Sequence, residues 1–343
     1  FANIAEFIDD DILEKLSSDL QKNFEDDKNS RSDWEKTYKE GLDLLGFKYE
    51  ERSKPFAGAA GVTHPLLAEA VTQFQAQAYK ELLPPGGPVR TEILGVPSLE
   101  VEQQAERIKE FMNYQITCEM QEFDPELDQL LFHLPLAGSA FKKVYYDGTL
   151  ERAVSKFIPA EDLVVPYFIT DLESCGRITH IVKMKHNDLR KNQVSGFYRD
   201  IELQPNTAKT SDIKEKQDEL SGVEQVSFTE EEHNVLEMHV DLDLPGFEDM
   251  GANNEKTGIM LPYIVTLDED SGEILSIYRN WNQGDASRKK KEYFTHFKFL
   301  PGLGFYGFGL IHMLGGLSRT ATAALRQLID AGTLSNLPAG FKA

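Results

Sequence analysis

The sequence predicts an α+β protein: a helical N-terminal part, a β-rich middle and a long C-terminal helix. Three observations carry this. Up to about residue 136 apolar residues recur at spacings of three and four, while much of 139–280 alternates or runs β-rich. From residue 310 the helical spacing returns and persists to about 335. No repeat of fixed period is visible.

In chain order, Ile4, Phe7, Ile8, Ile12, Leu16 and Leu20 predict an amphipathic helix over 3–24 with an acidic outer face. The polar stretch "EDDKNSRSD" predicts a break, with Asp33 capping a second helix that stops at Gly46. Thr63 followed by Pro65 predicts a capped start for a third helix, its face built on Leu66, Ala70, Phe74 and Ala78. "LLPPGGPV" ends it, since proline cannot continue a helix. Glu100–Gln121 reads as a long helix that buries Val101, Ile108, Phe111, Met112, Ile116 and Met120. Another helix from Pro125 carries Leu127, Leu130, Leu131 and Leu134 on one face.

"AFKKVYYDG" and "RAVSKFIPAEDLVVPY" then read as strands, and "RITHIVKMK" as a strand that hands over to a helix capped by Asn187. Residues 204–233 are polar and charge-rich, which predicts a mobile loop or insertion. "NVLEMHVDLDL" alternates as a strand, and "IMLPYIVTLDEDSGEILSIYRNW" reads as a hairpin about "DEDSGE". In the last helix Leu310, Leu314, Leu317, Ala321, Ala324, Leu325 and Leu328 form one stripe, with Arg319, Arg326 and Asp330 off it. From 310 to 335 this helix spans about 39 Å.

At 343 residues, 41% hydrophobic and 27% charged, the chain can bury a sizeable core. Its formal net charge of −21 argues against a tight, generic nucleic-acid binder, which needs clustered Lys and Arg. A negative wall does suit a surface along which DNA slides without sticking, and solubility alone explains the same charge. No apolar run reaches the roughly 18–20 residues that cross a bilayer, so no membrane is expected. Cys118 and Cys175 lie far apart and read as buried or half-buried thiols.

Chemical motifs are scarce. The histidines at 64, 133, 180, 186, 233, 239, 296 and 312 form no HExxH, and His233 and His239 need not share a face. "LDEDSGEI" lacks the ligand spacing of a calcium loop, and "GLGFYG" matches a dinucleotide fingerprint in spacing but not in context. No catalytic residue, metal or cofactor is therefore nominated, and no enzyme is expected. The run Arg288, Lys289, Lys290, Lys291 is the densest positive patch, readable as a contact to DNA or a partner or as a solvated loop.

Several segments together resemble one family. "WEKTYKEGLDLLGFKYEERSKPFAGAAGVTHPLLAEAVTQFQAQAYKELLPPGGPV", "YIVTLDEDSGEILSIYRNW" and "FTHFKFLPGLGFYGFGLIHMLGGLSRTATAALRQLIDAGTLSNLPAGF" are similar to portal proteins of short-tailed bacteriophages. The resemblance covers most of 34–136 and 258–343. It implies a dodecameric ring at one capsid vertex that conducts the genome during packaging and ejection. Its expected partners are the major capsid protein, head–tail adaptor and tail proteins, the packaging terminase, and double-stranded DNA through its backbone. The implied location is the virion, with assembly in the host cytoplasm.

In that scheme 1–305 is the wing, 306–335 the first stem helix and 336–343 the start of a truncated clip. The stripe Leu310, Leu314, Leu317, Ala321, Leu325 and Leu328 would pack between subunits, and Arg319 and Arg326 would contact a subunit or DNA. Because the chain begins at Phe1 and stops near the clip, it is expected to be part of a longer protein. Another head–tail connector ring and a metal-dependent hydrolase or nuclease are the alternatives.

Overall fold

The computed structural model describes residues 2–148, 150–203, 211–222, 232–251 and 255–336. Helices account for 45% and antiparallel strands for 21%, so the α+β class stands. The chain divides into two compact units, each assembled from sequence-distant pieces: Phe1–Thr37 with Ala160–Glu292, and Tyr38–Pro159 with Tyr293–Ala343.

In chain order the helices are α1 (Asp10–Ser30), α2 (Ser32–Leu42), α3 (Leu66–Leu82), α4 (Leu99–Tyr114), α5 (Phe123–Ala137), α6 (His186–Val194), α7 (Asp212–Ser221) and α8 (Leu310–Asn336). The strands are β1 (Ser139–Asp147), β2 (Arg152–Ile158), β3 (Leu163–Val164), β4 (Arg177–Lys185), β5 (Glu232–Leu242), β6 (Leu261–Asp268), β7 (Ile274–Arg279) and β8 (Phe294–Lys298).

The first unit is built on an antiparallel sheet of order β3-β4-β5-β6-β7. Period-two alternation gives β5 two useful faces. Leu236 and Met238 join Val265, Leu267 and Ile277 under Leu13, Leu20 and Phe24 of α1. Val235 points the other way, into a smaller cluster with Leu189, Tyr198 and Leu275. Asn3 pins the N-terminal segment to the sheet: its amide donates to Leu275 O at 3.0 Å and its Oδ1 accepts from Ile277 N at 3.0 Å. Arg31, among the largest fully buried side chains, satisfies a tight turn. It donates to the carbonyls of Ala160 (3.1 Å), Leu163 (2.9 Å) and Glu161 (2.5 Å), and to Glu35 at 2.8 Å.

The second unit carries a three-stranded sheet of order β2-β1-β8, with β1 central. Leu127, Leu130, Leu131 and Leu134 of α5 pack with Ala140 of β1, and Phe74 and Ala78 of α3, Phe157 of β2 and Phe297 of β8 close around them.

Several local expectations are corrected. "EDDKNS" does not break the first helix, because α1 runs on to Ser30: Glu25 and Lys28 are good helix formers and neither Gly nor Pro interrupts the stretch. Thr63 does not cap α3, which begins after Pro65 without a side-chain cap, and Asn187 lies inside α6 behind Lys185. α4 ends at Tyr114 in a π turn over Gln115–Glu119, and no residue of either is buried. Cys118 is exposed rather than buried. His233 and His239 share one face of β5 and both are buried. Of the expected loop at 204–233, residues Asp212–Ser221 form a helix capped by Ser211, with Ile213 buried, and 232–233 begin β5. Residues 204–210 and 223–231 lie outside the described residues, as do 337–343 of the expected clip.

Candidate functional site

The glycine- and aromatic-rich stretch before α8 is a packed joint. Phe305 is fully buried, parallel to Phe141 at 5.9 Å between ring centroids, and His296 lies 4.5 Å from each ring. Ser139 Oγ accepts from Gly307 N at 2.8 Å and lies 3.1 Å from His296 Nε2. The hydroxyl, with one donor and two acceptor sites, can bond both groups at once. Burial, with Lys298 adding repulsion, pushes the His296 imidazole down to about 3, which keeps the ring neutral. The glycines are needed because backbone meets backbone. A Cβ on Gly307 would sit 2.4 Å from Gly138 O, and one on Gly309 would sit 2.3 Å from Leu136 O. Gly309 N then donates to His312 Nδ1 at 3.1 Å, satisfying one of the free donors at the start of α8.

α8 presents two faces of different character. The inward one carries Ile311, Gly315, Ser318, Thr322 and Asp330, all buried. It grips the loop after Gly46: Asp330 Oδ1 accepts from Ala60 N at 2.7 Å, and Thr322 Oγ1 accepts from His64 N at 3.0 Å. Arg326 donates to Val62 O at 2.6 Å and to Thr63 Oγ1 at 3.2 Å, and pairs with Glu50 at 3.0 Å. Beside this clamp runs an open groove of about 610 Å³ with Arg52, Phe56, Arg319, Gln327 and Leu334 on its walls. Its cations meet anions of the same unit: Arg52 lies 3.8 Å from Asp330, and Arg319 is 3.3 Å from Glu40. The groove is close to charge-balanced and does not present a cluster of free cations for phosphate.

The other face carries the leucine stripe. Leu310, Leu314, Ala321 and Leu325 are half-buried, while Leu317 is 59% and Leu328 73% exposed. Leu317 and Leu328 thus lie off the intrachain contact of α8. At the start of the contact a large side chain of α8 meets a glycine: a Cβ on Gly41 of α2 would lie 2.4 Å from the Ile311 side chain.

The expected contact residues differ in how they are held. Arg288 pairs with Asp249, and Lys290 donates to Leu172 O at 3.1 Å and Cys175 O at 2.8 Å. Lys289 is exposed and Lys291 half-buried. Arg326 is spent on the loop clamp, whereas Arg319 stands 60% exposed beside an exposed Glu40. The loop clamp itself escaped the sequence reading; its available signal was Asp330, an acid in an otherwise uncharged end of α8. Among the described residues no group of three or more His, Cys, Asp or Glu could hold a metal ion, and no helix is long and apolar enough to cross a membrane. No known protein family matches this chain, and no curated protein matches it either.

Proposed function

We propose that this chain is a subunit of the ring-shaped portal at the capsid vertex of a tailed bacteriophage. In this reading it is a conduit for genome packaging and ejection and a docking site for the packaging motor and tail. It acts in the virion, by geometry rather than catalysis, and DNA passes along it by backbone contacts without sequence readout. The supporting observation is α8: 27 residues, ~40 Å long, fixed on one face by its own loop while Leu317 and Leu328 of its leucine stripe stay exposed on another. Exposed leucines on one helix favour association with further copies. The tightly packed joint at Phe305 gives the helix a fixed direction, which a ring-lining element needs.

Native mass spectrometry of the full-length protein, with negative-stain images of the same sample, tests the proposal. A ring of about twelve copies with a central hole is the expected result. A ring that binds tail components but never the packaging motor would instead assign another head–tail connector. A persistent monomer at high concentration that cuts DNA with added magnesium would replace the conduit with a hydrolase.

A further inference from the structure

We propose that α4 of one copy docks on the open leucine–alanine stripe of α8 on a neighbouring copy. The inference rests on the ring reading and gives that ring a specific interface.

α4 has 16 residues and buries none of them. Asn113 anchors it, with Nδ2 donating to Val89 O at 3.1 Å and Oδ1 accepting from Val89 N at 2.9 Å. In proteins most helical stability comes from packing of an apolar face. Such a face exists: Val101, Ala105, Ile108 and Met112 recur at i, i+4, i+7 and i+11, with Phe111 beside them 59% exposed. Within the same unit, Leu317, Ala321, Ala324 and Leu328 repeat that spacing on α8.

The two faces are complementary in bulk and in charge. α4 offers large side chains, and α8 offers two alanines framed by two leucines. Ile108, Phe111 and Met112 can therefore enter the shallow groove over Ala321 and Ala324, as ridges enter grooves. α4 carries Glu100, Glu102, Glu106 and Glu110 against Arg107 and Lys109, whereas the exposed charge of α8 is Arg319, with Arg326 and Asp330 held in the loop clamp. Arg319, the exposed cation of that helix, follows Leu317 by two residues and lies 3.3 Å from the exposed Glu40, so it flanks the stripe rather than sitting in it. Pairing α4 with α4 would set bulk against bulk and acid against acid. α4, about 24 Å long, fits within the ~40 Å of α8. Because the two surfaces differ, the contact is heterologous: it adds copies head to tail and closes when the rotation permits.

Cross-linking between differently labelled full-length chains tests this. In a Cys118→Ser background, Met112→Cys chains are mixed with Leu317→Cys chains under assembly conditions and oxidised. The mixture is expected to yield at least tenfold more linked dimer than either variant alone. Linking of Met112→Cys with itself, at or above the mixed yield, would overturn the pairing in favour of an α4–α4 contact. Phe111→Asp supplies an independent arm: this side chain is exposed, so circular dichroism and melting should match wild type. The concentration needed for assembly should rise at least tenfold. Rings that form normally in Phe111→Asp and carry no mixed link would overturn the α4–α8 contact and leave the ring reading intact. Wild-type protein that stays monomeric and gives no link of any kind would overturn both.

Discussion

Replacing Asp162 by Asn should stabilise the protein at alkaline pH and leave it unchanged in acid. Asp162 closes the turn that Arg31 holds, and burial with the adjacent Glu161 carboxylate raises its pKa from 3.8 to about 7. Lys183, Arg31 and Lys214 offset only part of that rise. Between pH 4 and 7 the native state keeps a proton that the unfolded chain has released. Stability therefore falls as pH rises through this window and is level above it. A shift of about three pH units corresponds to ~4 kcal/mol at full value, and relaxation with partial exposure of the side chain brings this nearer ~2 kcal/mol. The amide of the Asp162→Asn variant cannot ionise, so it avoids the penalty. Urea unfolding of wild type and Asp162→Asn at pH 8 and pH 3 isolates the one group, since all other titrations are common to both. The variant should lead by ~2 kcal/mol at pH 8, with the lead vanishing at pH 3, below both pKa values. An equal difference at both pH values, or a loss at pH 8, would refute the burial argument.

Further outcomes follow from the same structure. Arg31→Met should cost ~3 kcal/mol by denaturant midpoint, because three carbonyls of a buried turn lose their donor. The His296 ring should stay neutral in NMR titration from pH 8 down to about 4, and a midpoint near 6.5 would show that the Phe141–His296–Phe305 stack is open to water. That group supports stability above pH 6.5 and withdraws the support as acid approaches its native pKa. Gly307→Ala should cost ~3 kcal/mol or more through its clash with Gly138 O, while Gly316→Ala, which points into open space, should raise the melting temperature by the ~1 kcal/mol of helix propensity.

Periodicity located the helices and strands wherever a face is buried by the chain itself. Leu127, Leu130, Leu131 and Leu134 behave as their spacing predicts, and the alternation of β5 marks its two faces. The same signal misplaced burial on α4. An amphipathic pattern states that a face needs cover but not whose surface supplies it, and Ile108 and Phe111 remain open. α8 shows the converse. Its leucines announced the stripe, yet the chain's own contact uses Ile311, Gly315, Ser318 and Thr322, mostly small or polar residues that carry little hydrophobic signal. The loop clamp was hidden for a third reason: Arg326 and Glu50, or Asp330 and Ala60, are some 270 residues apart, and no local pattern links them. Helix boundaries failed where capping was inferred from residue type alone, as at Thr63 and Asn187.

The interleaved layout governs the order in which the chain can finish folding. β1 takes β2 on one edge as soon as a short hairpin closes, but its other edge belongs to β8, whose first residue follows the end of β1 by some 147 positions. At ribosomal speed that edge waits roughly 10–30 s for its strand. The N-terminal segment waits longer still, since Asn3 and its partner Leu275 are separated by 272 residues. Neither unit can complete its sheet contacts while the chain is half made, so both close late and close together in time. Open strand edges invite pairing with other chains during that interval. Yield during synthesis is therefore set by how well nascent copies are kept apart, as much as by the stability of the finished molecule.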